Sequence, residues 1–387
     1  MDKRNVPWYA MGALLEQDDI DVASKVVAEC AHSPKGFFRL PEETDFQKAF
    51  AEHEGASFAS AISSAGVGLD MAMWVLGVGE GDEVITTPLT FVCTATCATV
   101  RGAKIVFADV DPVTYNLDPK DVEKKITPKT KAIIPVHFGG IPCDIEGFER
   151  LAKKYGVKVV YDAAHSVGSK YKGKPMGGFG DMSVYSFQTN KNMTTLGEGG
   201  AITTNDSELF DAFERVKSFG FQYGAKDEVV RMGTNFRMTK VQSAAGLLQL
   251  KKVDRNNELR NKGAVLLNSL LADTDGVVCP TVPVDDYSSC HLCTYRIDDE
   301  KLGINAEQFF DLLKNEYTIG VSFHYKPVYE WKIYKDLGYG HEETPLAAKV
   351  CRQLFQIPVF QHMTEDDYQY IAWAIKKSIN KLMEDKK

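Results

Sequence analysis

Short apolar runs alternate with amphipathic segments through the middle of the chain. The runs GDEVITT, KIVFADV, TKAIIPVHF, VKVVYDAA and DMSVYSF are rich in the β-branched and aromatic residues that strands favour. Between two of them, DIEGFERLAKKYG repeats its apolar positions at the spacing of one helix face. Strands that alternate with helices predict an α/β fold, with a mainly parallel sheet that helices cover on both faces.

The pattern changes from about Val241 onwards. There QSAAGLLQLKKVDRNNELRNKGAVLLNSLLA predicts one long helix or two joined helices, and later strands are fewer and mixed with helices. We therefore predict a large domain over residues 1–255, including an N-terminal arm, and a smaller α+β domain over residues 256–387. The proline-containing stretch CPTVPVDDYSS is expected to open the sheet of the smaller domain.

The composition is that of a soluble globular protein, with 387 residues of which 44% are hydrophobic and 25% charged. A formal net charge of −8 offers no broad basic surface, so nucleic acid is not an expected partner. No apolar run approaches the roughly 18 residues that span a bilayer, and the acidic residues Glu16, Asp18 and Asp19 interrupt the N-terminal segment before a signal core develops. We expect a cytoplasmic protein that acts on small molecules, without a membrane partner.

The eight cysteines are scattered along the chain without the density of a disulfide scaffold, which favours reduced thiols. Cys290 and Cys293 form a CxxC pair, but no second pair follows at zinc-ribbon spacing. Ordinary packing is therefore favoured over a metal or redox role, and no metal site is predicted.

Ligands of an open α/β sheet bind beyond the carboxyl ends of its strands, and two segments can first be placed there. In AISSAGVGLD, small residues end a strand and begin a helix, where backbone N–H groups can bind a phosphate; the same turn is equally typical of tight helix packing. In VVYDAAHS, Asp162 ends an apolar strand, and a buried carboxylate needs a partner such as a protonated pyridine nitrogen. His165 can hydrogen-bond the same ligand or serve as a structural histidine.

Lys191 lies in the loop 188–196, which should leave the sheet at the same edge as Asp162 because the preceding strand ends at Ser186. Near a phosphate site and a buried aspartate, a lysine of lowered pKa can form a Schiff base with an aldehyde. Without such neighbours it would be a solvated surface residue. Phe91, between a predicted strand and a helix, can stack on a planar ligand or pack in the core.

The order of these segments, from GEGDEVITTPLTF to IPVFQHMTEDD, resembles the DegT/DnrJ/EryC1/StrS family of sugar aminotransferases. The resemblance implies the pyridoxal 5'-phosphate-dependent transferase fold of type I, in which a mainly parallel, seven-stranded mixed sheet is followed by a smaller C-terminal α+β domain. It also implies an enzyme that uses pyridoxal 5'-phosphate, through its pyridoxamine form, to move an amino group from glutamate or glutamine to a nucleotide-linked or phosphorylated keto sugar.

The resemblance assigns roles to individual residues. It implies that Lys191 is the Schiff-base lysine, that Asp162 pairs with the pyridinium nitrogen, and that His165 lies near the phenolic oxygen of the cofactor. The remaining implied contacts are stacking by Phe91, a phosphate cradle of Ala65, Gly66 and Ser186, and substrate contacts from His324 and Tyr325 in VSFHYKPVY.

Partners follow from the same resemblance. Asn235 matches an asparagine that reaches the phosphate of the neighbouring subunit, which implies a homodimer with shared sites. Arg237 and Lys326 can meet an anionic group of the substrate, although each is also typical of a surface or structural charge.

Several positions depart from the family pattern. Ala65 and Gly66 replace a usual Gly-Thr, Gln188 replaces a common histidine, and the stretch SPKGFFRLPEETDFQKAF replaces a glycine-rich entry. Leu196 lengthens the loop after Lys191, as in relatives that aminate a 3-keto sugar.

Two other functions remain as alternatives. One is a keto-sugar dehydratase, whose representatives in the family carry a histidine in place of the lysine. The other is a non-catalytic sensor, which would not need to retain Lys191 or Asp162.

Overall fold

A seven-stranded sheet forms the centre of the N-terminal part in this computed structural model, which describes residues 2–9, 11–38, 40–222, 228–340 and 343–384. Its strands are β1 (Phe58–Ile62), β2 (Glu83–Thr86), β3 (Lys104–Phe107), β4 (Thr130–Ile134), β5 (Lys158–Asp162), β6 (Met182–Ser186) and β7 (Gly200–Thr204). Their spatial order is β1-β7-β6-β5-β4-β2-β3. Strand β7 is antiparallel to both neighbours, whereas the other pairings are parallel. The predicted α/β architecture with a mainly parallel sheet is confirmed.

Helices alternate with the strands and continue through the C-terminal part. They are α1 (Gln17–Ala31), α2 (Glu42–Glu54), α3 (Ala65–Val75), α4 (Cys93–Thr99), α5 (Pro119–Lys125), α6 (Ile145–Tyr155), α7 (Ser207–Val216), α8 (Lys240–Leu271), α9 (Asp299–Leu302), α10 (Ala306–Asp311), α11 (Lys332–Asp336), α12 (Pro345–Gln353) and α13 (Glu365–Glu384). No helix among the described residues is long and apolar enough to cross a membrane.

The sheet is buried on both faces because helices cover both of them, and successive strand residues point to opposite faces. Val84 packs in a cluster with Leu69 of α3, while its neighbour Ile85 packs on the other face with Phe148 of α6. Helix α3 lies very close to the sheet, since a β-carbon at Gly68 would be only 2.6 Å from a methyl group of Val184. This close packing fixes the first turn of α3 above the end of β6.

Helix α8 links the two parts of the chain as one continuous helix. Its start is set by a capping box between Thr239 and Gln242. Val253 belongs to a core cluster under the large sheet, whereas Ala264, Leu267 and Leu271 belong to a cluster of the C-terminal part. The division predicted at residue 255 falls inside this helix and stays a prediction.

The C-terminal part contains a three-stranded antiparallel sheet formed by β8 (Val277–Val278), β9 (Cys293–Ile297) and β10 (Leu354–Ile357). The sheet opens directly before CPTVPVDDYSS, and residues 279–289 do not extend it. Pro280 and Pro283 lack the N–H that a ladder needs. Cys290 and Cys293 are free, buried thiols in the core of this part.

Candidate active site

A cavity of about 420 Å³ opens where the carboxyl ends of the parallel strands meet helix N-termini. Most of the residues singled out from the sequence line it: Ala65, Gly66, Phe91, Asp162, His165, Ser186, Lys191, His324 and Tyr325. These residues come from five separate segments of the chain. The fold therefore gathers them at one site.

Lys191 is partly buried, and the loop that carries it sets its position. The loop folds back on itself through hydrogen bonds from Thr189 N to Gly197 O (2.9 Å) and from Lys191 N to Gln188 O (2.8 Å). Burial lowers the pKa of the Lys191 amine to about 8, although the nearby charge of Asp162 opposes this change. A substantial neutral fraction is thus available at physiological pH, as a nucleophilic lysine requires.

Asp162 ends β5 with a carboxylate that is only 4% exposed. It accepts hydrogen bonds from Thr94 Oγ1 at 2.7 Å and from Ala164 N at 3.1 Å. Burial raises its pKa, whereas these hydrogen bonds and the charge of Lys191 oppose the rise. Thr94 was not identified from the sequence, and the only local signal is its spacing four residues after Thr90, whose hydroxyl lies 2.8 Å from its own.

The first turn of α3 forms one wall of the cavity. Ser64 caps the helix, accepting a hydrogen bond from Val67 N. The N–H groups of Ala65 and Gly66 belong to the turn that has no carbonyl partners within the helix, and both residues line the same cavity as Ser186. A β-carbon at Gly66 would find its nearest neighbours at 3.9 Å, so the space beside this turn is open. Donors and space together fit a bound phosphate.

Phe91, His165 and Tyr325 add aromatic and imidazole rings to the same cavity. The Phe91 side chain is 56% exposed at the mouth of the cavity, and its ring centroid is 6.0 Å from that of Tyr325. His165 Nδ1 accepts a hydrogen bond from Gly139 N at 3.3 Å, and its Nε2 lies 3.5 Å from Tyr325 Oη. Burial, reinforced by the charge of Lys191, lowers the pKa of His165 well below its usual value. A neutral His165 that accepts at Nδ1 carries its proton on Nε2.

The C-terminal part supplies His324 and Tyr325. Gln356 of β10 fixes this pair, since its side-chain oxygen accepts from His324 N at 2.8 Å and its amide donates to His324 O at 3.1 Å. Burial lowers the pKa of His324 and raises that of Tyr325. Both side chains are therefore neutral hydrogen-bonding groups at physiological pH.

Asn235 and Arg237 lie outside the lining of this cavity. Their segment runs beside the end of β1, where Ser63 N donates to Phe236 O at 2.9 Å. The Arg237 side chain donates to Asn235 Oδ1 at 2.9 Å. Asn235 is exposed, so its predicted contact with a neighbouring subunit stays a prediction.

Two further residues support the Lys191 loop without having been identified from the sequence. His291 Nε2 lies 3.5 Å from Lys191 Nζ, although its CHLC motif had favoured only packing. Gly12, in the N-terminal arm, donates from its N–H to Thr189 O at 3.0 Å. No local pattern distinguishes this glycine from others in the chain.

Comparison with known proteins gives a consistent result. Residues 19–376 match the model of the DegT/DnrJ/EryC1/StrS aminotransferase family. The spore coat polysaccharide biosynthesis protein SpsC of Bacillus subtilis is 36% identical over 347 residues, which cover 87% of this chain and 89% of that protein.

Solved structures are similar over nearly the whole chain. An aminotransferase from Psychrobacter cryohalolentis superposes with a TM-score of 0.89 at 28% identity, covering 98% of this chain and 100% of that one. Helicobacter pylori PseC, an aminotransferase involved in the biosynthesis of pseudoaminic acid, gives a TM-score of 0.88 at 28% identity, with coverage of 97% and 100%.

Proposed function

Since this chain belongs to the DegT/DnrJ/EryC1/StrS family of pyridoxal 5'-phosphate-dependent sugar aminotransferases, we propose that it moves an amino group from glutamate or glutamine to a keto sugar that carries a nucleotide or a phosphate. The family, the fold type and the cofactor expected from the sequence are confirmed. The observation that carries the proposal is that a lysine of lowered pKa and a buried aspartate share one cavity with a helix N-terminus.

The residues of the cavity fit the cofactor. Its phosphate would be held by the N–H groups of Ala65 and Gly66 and by the hydroxyl of Ser186, and its ring by the face of Phe91. Asp162 would hold a proton on the ring nitrogen, and His165 would donate from Nε2 to the phenolic oxygen. When bound, pyridoxal 5'-phosphate supplies an aldehyde for amine attachment and a ring that accepts an electron pair.

Lys191 performs the proton transfer in this proposal. With the cofactor bound, Lys191 would hold it through Nζ. The lone pair of Nζ would take a proton from the α-carbon of the amino donor and give it back, and the same base would serve the keto sugar. His324 and Tyr325 line the side of the cavity where the substrate would enter.

The groove next to the cavity offers a substrate exposed aromatic rings and the ammonium group of Lys326. It shares Thr90, Phe91, His324 and Tyr325 with the cavity. Phe323 is 52% exposed and Trp331 42% exposed in this groove, and the Lys326 ammonium lies 3.9 Å from the Trp331 ring centroid. Exposed aromatic rings stack on nucleobases, and lysine meets phosphate, so we propose a nucleotide-linked sugar rather than a simple sugar phosphate.

Two further proposals, on the sugar carbon that is aminated and on the oligomeric state, rest on particular segments of the chain. Leu196, in the left-handed conformation with φ of 64°, makes the turn after Lys191 longer, and we propose amination at a 3-keto position on this basis. We also propose a cytoplasmic homodimer in which Asn235 of one subunit reaches the phosphate of the other and Arg237 meets the substrate. The neighbouring Met232 is 77% exposed, which favours an interface at this surface.

The test is a titration of the purified protein loaded with pyridoxal 5'-phosphate. L-glutamate and L-glutamine are added separately, and loss of the visible absorbance band in favour of the pyridoxamine form identifies the donor. A 3-keto nucleotide sugar is then added and the product is analysed by mass spectrometry. An amino sugar supports the proposal. A deoxygenated sugar would instead indicate a dehydratase, and a band that neither donor changes would indicate a binding protein.

Lys191→Ala is the matched control in the same titration. The variant is expected to fold, because the side chain ends in the cavity, and to give no turnover. Repeated turnover by this variant would contradict the proposed role of Lys191.

A further inference from the structure

His291 contacts the Lys191 amine without lining the cavity itself. Its Nε2 lies 3.5 Å from Lys191 Nζ, and its ring centroid is 4.5 Å from that of His165. The side chain is buried, and among the described residues it is not part of the cavity lining. His291 can therefore influence the chemistry through Lys191 but does not itself face a bound ligand.

A network of carbonyl oxygens fixes the tautomer of His291. Asn192 Nδ2 donates to the Ser289 carbonyl and to Asn257 Oδ1, both at 2.7 Å. Because a backbone carbonyl can only accept, Asn192 must direct its nitrogen toward Ser289 and its oxygen toward His291 Nδ1, 3.1 Å away. Nδ1 therefore carries the proton, and the lone pair of Nε2 faces Lys191.

The network cannot be reversed by rotating the next amide. Asn257 Nδ2 donates to the carbonyl of Val167 at 2.9 Å, so its oxygen must face Asn192. The orientation of both amides follows from backbone carbonyls that have fixed positions. Buried amides with all these partners resist rearrangement, since any flip would leave donors facing donors.

The two adjacent histidines consequently have opposite tautomers. His165 accepts at Nδ1 from Gly139 and carries its proton on Nε2, whereas His291 carries its proton on Nδ1 and accepts at Nε2. Burial, together with the charge of Lys191, lowers the pKa of His291 well below its usual value. The ring thus stays neutral and remains an acceptor at physiological pH.

We propose that His291 is a positioning residue for Lys191, whose Nε2 accepts a hydrogen bond from the lysine amine whenever that amine is free. The hydrogen bond holds Nζ in one place while its own lone pair takes up and returns a proton. His291 neither gains nor loses a proton in this step, so the proton balance is that of Lys191 alone. The inference rests on the proposed function, because the free amine carries a proton to and from a substrate only in a turnover cycle.

Two variants of His291 separate positioning from packing. His291→Gln places an amide, and hence an acceptor oxygen, near the position of Nε2, whereas His291→Phe keeps an aromatic ring but offers no acceptor. Both variants lose the hydrogen bond with Asn192, so a comparison between them isolates the contact with Lys191.

The first readout is the pKa of Lys191 in the apoprotein, measured by competitive acetylation across a pH series with mass spectrometry. The titratable groups that face this amine are Asp162, Cys93, His165, His291 and His324. An acceptor stabilises the ammonium form, so His291→Phe is expected to lower the pKa of Lys191, while His291→Gln should leave it near the wild-type value.

The second readout is turnover of the loaded enzyme. We expect His291→Phe to lower kcat by about tenfold to a hundredfold with little change in the KM of the donor, and His291→Gln to restore most of the rate. Equal pKa values and rates for His291→Phe and wild type would overturn the inference. Equal impairment of both variants would also overturn it, since that result indicates packing alone.

A measurement on the wild-type protein covers the case in which the variants fail to fold. Histidine ¹⁵N shifts distinguish the two neutral tautomers, and we expect a neutral ring protonated on Nδ1 for His291. A ring protonated on Nε2, or a charged ring at pH 7, would overturn the inference. Acetylation and NMR need no turnover, so they test His291 even if the aminotransferase proposal fails, and a functional enzyme with an insensitive His291 refutes only this inference.

Discussion

Replacing Gly12 by alanine tests how the N-terminal arm supports the Lys191 loop. A β-carbon at this position would lie 1.9 Å from Asn190 O and 2.7 Å from Lys191 O. A carbon and a carbonyl oxygen normally approach to about 3.3 Å, so the arm and the loop must separate by about 1.4 Å. Both contacts involve backbone atoms, and no rotation of a side chain can relieve them.

The displacement affects hydrogen bonds on both sides of Gly12. Its N–H donates to Thr189, and its carbonyl accepts from the buried guanidinium of Arg260 and from Gln361. A neutral hydrogen bond contributes about 1 kcal/mol and one from a charged donor about 1.5–3 kcal/mol, so loss of all three would lower the free energy of unfolding by about 3.5–5 kcal/mol. A shift of about 1 Å in the reacting lysine is also expected to lower kcat by about a hundredfold.

The assay combines urea unfolding with steady-state turnover, and Gly79→Ala is the matched control. A β-carbon at Gly79 would meet its nearest neighbour, Arg101 O, only at 4.0 Å. If Gly12→Ala unfolded at the same urea concentration as Gly79→Ala and kept the same kcat, the arm would not determine the position of the loop.

Three further predictions concern titration. Because the pKa of Lys191 is about 8 rather than 10.5, the neutral fraction of its amine at pH 7 is about 300-fold larger than that of an ordinary lysine. The rate of cofactor loading by the apoprotein should therefore level off above about pH 8. A rate that still rises at pH 10 would contradict this. Asp162→Asn removes a charge that raises the pKa of Lys191. The pKa of Lys191 in acetylation experiments should therefore fall, and kcat should drop by about a hundredfold or more. Near wild-type rates would exclude a pairing of Asp162 with the ring nitrogen. Burial lowers the pKa of His53, but hydrogen bonds to Asp254 and Glu54 outweigh it and raise this pKa to about 10, so the stabilising effect is complete below pH 6.5 and lost as pH rises to about 10. His53→Gln should therefore lower the free energy of unfolding in urea by about 1–3 kcal/mol at pH 6 but by little above pH 10. An equal cost at both pH values would refute the linkage.

The parallel strands could be predicted because each is an apolar run buried on both faces. Strand β7 was harder, since Gly200–Thr204 begins in a glycine-rich segment, and glycine weakens the strand signal. The sequence also left open whether α8 was one helix or two. Its glycines do not break it, because Gly246 and Gly263 are places of close approach: a β-carbon there would lie 2.9 Å from Phe46 and 2.1 Å from the Tyr368 hydroxyl. A glycine needed for packing and one that ends a helix look alike in the sequence.

The candidate site likewise contains residues that the sequence could predict and residues that it could not. Lys191 and Asp162 could be placed because strand ends in a parallel sheet share one edge, so local patterns determine where both residues emerge. His291 follows Lys191 by one hundred positions, and its role depends on Asn192, Asn257 and Ser289 meeting in space. Each of these residues alone is an ordinary buried polar group that needs a partner. Only their joint geometry permits a single arrangement of donors and acceptors, and that arrangement leaves one lone pair facing the lysine.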